Sequence, residues 1–319
     1  MESNNRNVWI FVAVALLVAL CCCVAIAAAG AATWFSAVPF GRTGWGGVEG
    51  GQIEQTFRVG SAPDLKVDTF AGSVTVSAGN EGEIRVVATK RAPRSSDLER
   101  IEVEMIEQGD GLLIRGRNPR RLNNAWVKFE IVAPPGTRLE AHTGSGRMSA
   151  SGFDGGVKLD TGSGSVTVRD LKGEVDLHTG TGSVEVRDIQ GRLKADTGSG
   201  RVTIQGLTGE GDAHTGSGGI EVFGARGPGR FDTGSGSIDY QGSPQGECRF
   251  RTGSGSISLR LPADLDATVD LHTGSGSVDV AYDVDGQISK QDVQGIIGNG
   301  DGATIYAHTG SGSIDLTRQ

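Results

Sequence analysis

A Thr-Gly pair recurs at a fixed interval along the chain, and this periodicity restricts the possible folds more than any other feature. Six of the pairs follow one another at intervals of 18 residues, at Thr143, Thr161, Thr179, Thr197, Thr215 and Thr233. Three more follow at spacings of 19, 21 and 36, at Thr252, Thr273 and Thr309. A fixed period near 20 residues is typical of a solenoid, in which each repeat forms one coil.

Each repeat contains two short alternating strands joined by a glycine-rich corner. The strand after the corner reads SVTVRD, SVEVRD and RVTIQG in consecutive repeats, so every second residue is apolar. Such alternation indicates half-buried strands. One coil buries roughly four aliphatic side chains, worth about 1.5–3 kcal/mol each, whereas ordering its backbone costs about 1–2 kcal/mol per residue. Because a single coil cannot fold alone, we predict an all-β chain forming a parallel β-solenoid of ~18-residue coils.

The outward residue before each Thr-Gly pair alternates between histidine and aspartate. We expect the resulting His/Asp ladder to be structural, since opposite charges on adjacent strands contribute about 0.2–1 kcal/mol per pair. Its members are His142, Asp160, His178, Asp196, His214 and Asp232. The nearest histidines are two coils apart, about 9–10 Å, too far to share a zinc ion at bonds near 2 Å. We therefore predict neither a metal nor a cofactor.

Asp-Thr-Gly at three ladder positions also occurs in aspartic proteases, but the repeat argues against that function. A protease dyad needs two aspartates facing each other across a cleft, and successive coils on one face do not provide this. Glycoside hydrolysis needs carboxylates clustered in a recess, whereas these acids are evenly spread and alternate with bases. We predict that the chain is not an enzyme. A polysaccharide-binding or carbohydrate-active β-helix protein is the alternative.

The N-terminal residues predict a membrane anchor. The run from Val8 to Phe35 contains no charged residue and is longer than the about 20 apolar residues that span a bilayer. Small residues near its end also allow cleavage as a signal peptide. We expect residues 1–35 to form a short cytoplasmic tail and a single transmembrane helix, or a signal peptide. A Gly-rich linker is expected over residues 36–60.

The remaining chain divides into an irregular and a regular part. We predict irregular N-terminal coils and a cap over residues 61–142, and the regular solenoid over 143–319 with an insertion at 282–301. Cys248 occupies an inward position, so we expect it in the core. The chain stops directly after a repeat strand, which leaves end-to-end self-association as a possible partner interaction.

Two exposed features are candidates for a ligand or partner surface. Residues 111–128 contain five basic residues and no acid, namely Arg115, Arg117, Arg120, Arg121 and Lys128. This stretch is either a solvated loop or a patch for an anionic envelope polymer or lipid headgroup. Phe223 is the second feature, an aromatic residue at an outward strand position. The net charge of −8 argues against nucleic acid as a partner.

Several segments resemble the DUF4097 family of candidate adhesins, which are bacterial β-strand repeat proteins. The resemblance rests on LKVDTFAGSVTV, VKFEIVAPPGTRLEAHTGSG, the repeated TGSGSV corners and GIIGNGDGATIYAHTGSGSIDL, and it covers the chain from about Leu65 to its end. It implies a non-enzymatic β-solenoid at the bacterial cell envelope, tethered by a single-pass membrane segment with the C-terminal domain outside the cytoplasm. It further implies an adhesin, a scaffold or an envelope-stress-related binding module. We predict an envelope polymer, a surface glycan or an envelope protein as partner.

Overall fold

The computed structural model describes residues 47–319, and this part of the chain is built almost entirely from β-strands. Its strands form one continuous sheet wound into a solenoid, with one four-residue helix, α1 (Ser95–Leu98). The predicted membrane segment, residues 1–35, lies outside the described residues. Between residues 47 and 319 no helix is both long and apolar enough to cross a bilayer.

The regular repeats stack as parallel strands in the order of the sequence. Their strands are β8 (Arg138–Ser145), β9 (Met148–Ser151), β10 (Val157–Ser163), β11 (Val166–Thr181), β12 (Val184–Ser199), β13 (Val202–Thr208), β14 (Gly211–Ser217), β15 (Ile220–Ser235), β16 (Ile238–Ser254) and β17 (Ile257–Leu261). Val157, Val175 and Leu193 are register partners in consecutive coils. The prediction that positions 18 residues apart lie over each other is therefore confirmed.

Each coil buries more side chains than the four that were predicted. A third inward column follows the second strand of each coil and is fully buried: Leu171, Ile189, Leu207 and Ala225. The alternating pattern of the sequence does not predict this column, because the chain bends at Asp170 and Asp188, which adopt φ values of 55° and 54°. A left-handed residue turns the backbone and shifts the phase of the alternation. Each coil therefore has three inward-facing segments instead of two.

The Thr-Gly pairs bind each coil to the preceding one through a buried threonine. In consecutive coils the Oγ1 atoms of Thr179, Thr197 and Thr215 donate to glycine carbonyls of the previous corner at 2.9–3.0 Å. The threonine methyl group fills the core while its hydroxyl satisfies a corner carbonyl that strand pairing leaves free. This explains why threonine, and not a fully apolar residue, recurs at the position.

At the C-terminal end, the stacking order differs from the sequence order. The strands involved are β18 (Ala267–Thr273), β19 (Val278–Val280), β20 (Asp285–Ile288), β21 (Asp292–Ile297), β22 (Ala303–Ser311) and β23 (Ile314–Arg318). β22 lies between β16 and β18, and β23 lies between β17 and β19. The hydroxyl of Thr309 donates to Gly255 and that of Thr273 to Gly312, which independently gives the same order.

The last coil of the sequence is therefore internal to the stack, and its strands are paired on both sides. The predicted insertion forms β20 and β21, an antiparallel pair that extends the sheet beyond β18. At this end β20 is an edge strand, and its Ile288 is 66% exposed.

The N-terminal end has the same kind of exchange. Its strands are β1 (Val48–Arg58), β2 (Asp64–Thr69), β3 (Val74–Ala78), β4 (Glu83–Ala92), β5 (Glu102–Gln108), β6 (Gly111–Arg117) and β7 (Trp126–Ala133). β2 and β3 are first in the sequence among coil strands, yet they lie between β6–β7 and β8–β9. Antiparallel strands β5, β4 and β1 complete the cap.

Part of the segment predicted as a linker, residues 36–60, forms a strand. Its described part is strand β1, which pairs with β4 and so belongs to the cap. Ile53 and Phe57 are half-buried and pack against the core, which gives this segment the apolar face that a flexible linker lacks. Gly51, with φ 57°, forms a bulge in the edge strand, and bulged edge strands are poor templates for further pairing.

Candidate ligand-binding site

The His/Asp ladder forms one outward column along the first face of the solenoid. His142, Asp160, His178, Asp196, His214 and Asp232 are consecutive register partners. The column continues through Asp68 beside His142 and Arg115 beside Asp68. A contact at 3.7 Å joins His142 Nδ1 to Asp160 Oδ2. Because these groups are exposed, each such pair contributes little to stability.

Several ions in the neighbouring column pair along a strand and not across coils. Lys194 contacts Asp196 at 3.3 Å, and Arg230 contacts Asp232 at 2.6 Å, in each case two residues along the same strand.

Burial raises the pKa of the Asp212 carboxyl above its usual range, and the charge of nearby Asp196 raises it further. The protonated form of Asp212 is therefore favoured in the folded state. The contribution of this carboxyl to the free energy of unfolding is full below its unfolded pKa and is lost as pH rises through its folded pKa.

The basic stretch is divided by the fold. Arg115 is in register between Asp68 and Glu104. Arg117 contacts Glu104 at 3.6 Å, and Lys128 contacts Glu130 at 2.9 Å. These three residues therefore face carboxylates and do not form one cationic patch.

Arg120 and Arg121 lie in the exposed loop between β6 and β7, and neither forms an ion pair with another residue of the described chain. The loop is held in shape by Asn118, which both donates to the carbonyl of Leu122 and accepts from its amide at 2.9 Å. Within the basic stretch, the positive charge without a carboxylate partner in the described chain is thus confined to this short loop.

A groove of about 640 Å³ lies beside this loop, at the corner of the first coils. Its lining combines apolar, amide and basic side chains, chiefly Phe70, Leu122, Asn123, Asn124, Trp126 and Arg147. The groove exists because the corner after Thr69 reads Phe-Ala-Gly-Ser, whereas the regular corners have glycine at the position of Phe70. Its volume is within the range of about 300–1,000 Å³ typical of small-molecule sites.

Trp126 is the main aromatic surface of the groove. Its ring is half-buried, and the Arg91 guanidinium carbon lies 5.4 Å from the ring centroid. A cation over an aromatic face holds the ring in place, so this tryptophan is positioned before any ligand arrives. This site could not be predicted from the sequence, since its residues come from three separate segments and only the exchanged coil order brings them together.

Phe223 lies far along the chain, on the second face of the solenoid. Its side chain is 38% exposed, and its register neighbours are Gln205 and Gln241. A shallow depression of about 310 Å³ beside it is lined by Glu221, Asp239 and Arg260 among others. Phe223 and the basic stretch therefore do not form one surface, and Phe223 remains a separate candidate.

Cys248 lies in the core, as predicted. It is fully buried, and burial raises the pKa of its thiol to about 11, so the reactive thiolate is scarce at neutral pH. Close by, the rings of Phe231, Tyr240 and Phe250 pack with centroids 5.0–5.7 Å apart. These aromatic residues fill the solenoid where the regular aliphatic columns end.

The architecture and the repeat agree with a comparison against protein-family models. The model described as Toastrack DUF4097 matches residues 63–317. The chain belongs to the DUF4097 Toastrack family. The match includes both exchanged ends of this Toastrack solenoid as well as its regular middle. A search of curated proteins finds no match.

Several solved structures are similar to this Toastrack protein. A candidate cell adhesion protein from Clostridium sporogenes is 13% identical, covering 84% of this chain and 100% of its own, with a TM-score of 0.25. A candidate adhesin from Bacteroides fragilis is 12% identical, covering 83% of this chain and 96% of its own, with a TM-score of 0.36. A candidate lipid-binding protein from Parabacteroides distasonis is 11% identical, covering 82% of this chain and 96% of its own, with a TM-score of 0.46. With TM-scores below 0.5, none of these supports an argument about function.

Proposed function

We propose that this chain is a non-enzymatic binding module of the bacterial cell envelope, an adhesin or scaffold, and that it holds an anionic polysaccharide in the corner groove. The observation that carries the proposal is that Trp126, two asparagines and Arg147 line one groove. The exposed Arg120 and Arg121 directly precede this lining in the same loop. The N-terminal segment would tether the solenoid to the cell membrane, with the groove outside the cytoplasm.

The groove offers the three kinds of contact that an acidic sugar chain uses. The Trp126 ring provides a flat apolar surface for the C–H groups of a sugar, and the Asn123 and Asn124 amides can donate to and accept from hydroxyls. Arg120 and Arg121 can each bind a carboxylate or phosphate through two parallel hydrogen bonds. Because the whole chain is acidic, this attraction acts at short range and weakens with salt.

The composition of the groove also favours binding over hydrolysis. Glycoside cleavage uses two carboxyl groups roughly 5–9.5 Å apart on either side of the bond. No aspartate or glutamate is among the residues that line the groove in the described part of the chain. The carbohydrate-active alternative would therefore need another site.

The binding proposal is tested by measuring the affinity of the purified protein for immobilised polygalacturonate and heparin, with neutral dextran for comparison. We expect salt-sensitive binding to at least one anionic polymer and none to dextran. Trp126→Ala should weaken binding about 5–150-fold, which corresponds to the about 1–3 kcal/mol that a planar group loses when its aromatic stacking partner is removed. The double variant Arg120→Ser, Arg121→Ser should weaken it and flatten its salt dependence.

Phe223→Ala is the matched control, because it removes an exposed aromatic side chain from the other face. It should bind like the wild type. Absence of binding to both anionic polymers, or full binding by Trp126→Ala, would contradict the proposal. Loss of binding in Phe223→Ala alone would move the ligand surface to the second face.

A further inference from the structure

The exchanged order of the last coils brings two histidines side by side. His272 and His308 are register partners on adjacent parallel strands, and their ring centroids are 6.0 Å apart with the planes at 82°. Both side chains are accessible, at 50% and 37% exposure. The chain has five histidines, all within the described part. The other three have only aspartates as register partners.

Each imidazole of this pair is held by its own carboxylate. Asp292 contacts Nδ1 of His272, and Asp270 Oδ1 lies 3.5 Å from Nε2 of His308. A ring nitrogen that donates its hydrogen to a carboxylate leaves the other nitrogen of a neutral imidazole with a free lone pair. Carboxylates in this position orient and strengthen histidine ligands in metal sites. The pair thus presents one free nitrogen per ring.

The separation of the rings decides whether they can share an ion. A metal bonded at about 2.0–2.1 Å to one nitrogen of each ring would lie about 3.2 Å from each centroid, so tetrahedral bonding requires centroids about 5.2 Å apart. The observed 6.0 Å exceeds this by less than 1 Å, a shift that small side-chain rotations provide. Histidines two coils apart in the regular ladder are separated by about 9.5 Å. The spacing argument against a shared metal therefore does not apply here.

We propose that His272 and His308 form a surface site for a divalent transition metal that imidazole binds well, such as Zn²⁺ or Ni²⁺. The two imidazoles are the protein ligands, water completes the coordination, and Asp270 and Asp292 are positioning residues. In the described residues no three His, Cys, Asp or Glu side chains already surround a common point, so the site has two protein ligands. Arg251, the other register neighbour of His308, restricts a cation to the side of Asp292.

The test is calorimetric titration of the full-length protein with Zn²⁺ and with Ni²⁺, after alkylation of accessible thiols, because Cys21, Cys22 and Cys23 would otherwise bind metal. We expect about one equivalent to bind. His272→Gln and His308→Gln should each lower the affinity at least tenfold, and circular dichroism should show unchanged folding. His214→Gln, the matched ladder control, should bind like the wild type. Absence of uptake by the wild type, or an equal loss in His214→Gln, would overturn the proposal.

Two further variants test its geometry. Asp292→Asn keeps both ligands but removes a positioning carboxylate, and should weaken binding about 10–100-fold. Asp196→His places a third imidazole between His178 and His214 in adjacent coils, and should add binding beyond the first equivalent. Wild-type metal affinity in Asp292→Asn would contradict the positioning role of Asp292. An unchanged number of bound metal ions in Asp196→His would contradict the inference that histidines on adjacent coils are close enough to share a metal.

Discussion

Replacing Gly200 with alanine is expected to destabilise the solenoid severely. The new Cβ would lie 2.0 Å from the carbonyl oxygen of Gly182 in the preceding coil, and φ at Gly200 is +155°. The contact is with backbone, so no side-chain rotation can relieve it. Backbone strain of this kind costs about 1–3 kcal/mol and overpacking about 1–3 kcal/mol more. Together these costs amount to about 2–6 kcal/mol, which reaches the lower end of the about 5–15 kcal/mol by which native proteins are stable.

Urea denaturation of two control variants separates the causes of this loss. Gly109→Ala also has a positive φ, +62°, but its Cβ would meet nothing within 4 Å, so it measures the smaller cost of a left-handed alanine without a contact between coils. Ser199→Ala alters the exposed residue beside Gly200 and should be nearly neutral. A denaturation midpoint for Gly200→Ala equal to that of Gly109→Ala would show that the coils do not approach each other as closely as the structure has them.

Leu316→Asp is expected to cost about 3–5 kcal/mol or more, although only three residues follow Leu316 in the sequence. Terminal residues usually tolerate change, but Leu316 is fully buried between Leu259 and Val280 in the same column. A carboxylate there would have no partner, and an uncompensated buried charge carries a penalty of this size.

Val280→Asp is the matched comparison because it introduces the same carboxylate into the same column. Val280 is half-buried and lies on the last strand of the second face. Its cost, measured by urea denaturation, should be clearly smaller. If the coils stacked in sequence order, Val280 would be internal and Leu316 would be at the end. A larger loss in Val280→Asp than in Leu316→Asp would therefore contradict the exchanged order.

The repeat predicts burial and strand register in the middle of the molecule well, because both depend on local geometry. Strand alternation places Val166 and Cys248 in the core, and the 18-residue interval sets the register of His178 with Asp196. These features depend on neighbouring residues and on one regular stacking step. The third inward column was not predicted, since the left-handed Asp170 and Asp188 interrupt the alternation that would have indicated it.

The order of the coils at either end could not be predicted from the repeat. Every Thr-Gly unit presents nearly the same corner and the same apolar columns, so any unit can stack on any other. The spacing of 36 residues before Thr309 indicates an insertion but does not say on which side the following coil lies. For this reason the His272–His308 pair and the groove at Trp126 become visible only in the structure.

The central claim is that the last coil of the sequence lies inside the stack, and paired cysteines test it most directly. In a background with Cys21, Cys22 and Cys23 changed to serine, the pair Ser258→Cys and Asp315→Cys occupies register partners of adjacent strands. The pair Ser258→Cys and Asp279→Cys is separated by the intervening strand β23. Under mild oxidation, we expect an intramolecular disulfide in the first pair and none in the second. The reverse result would contradict the account.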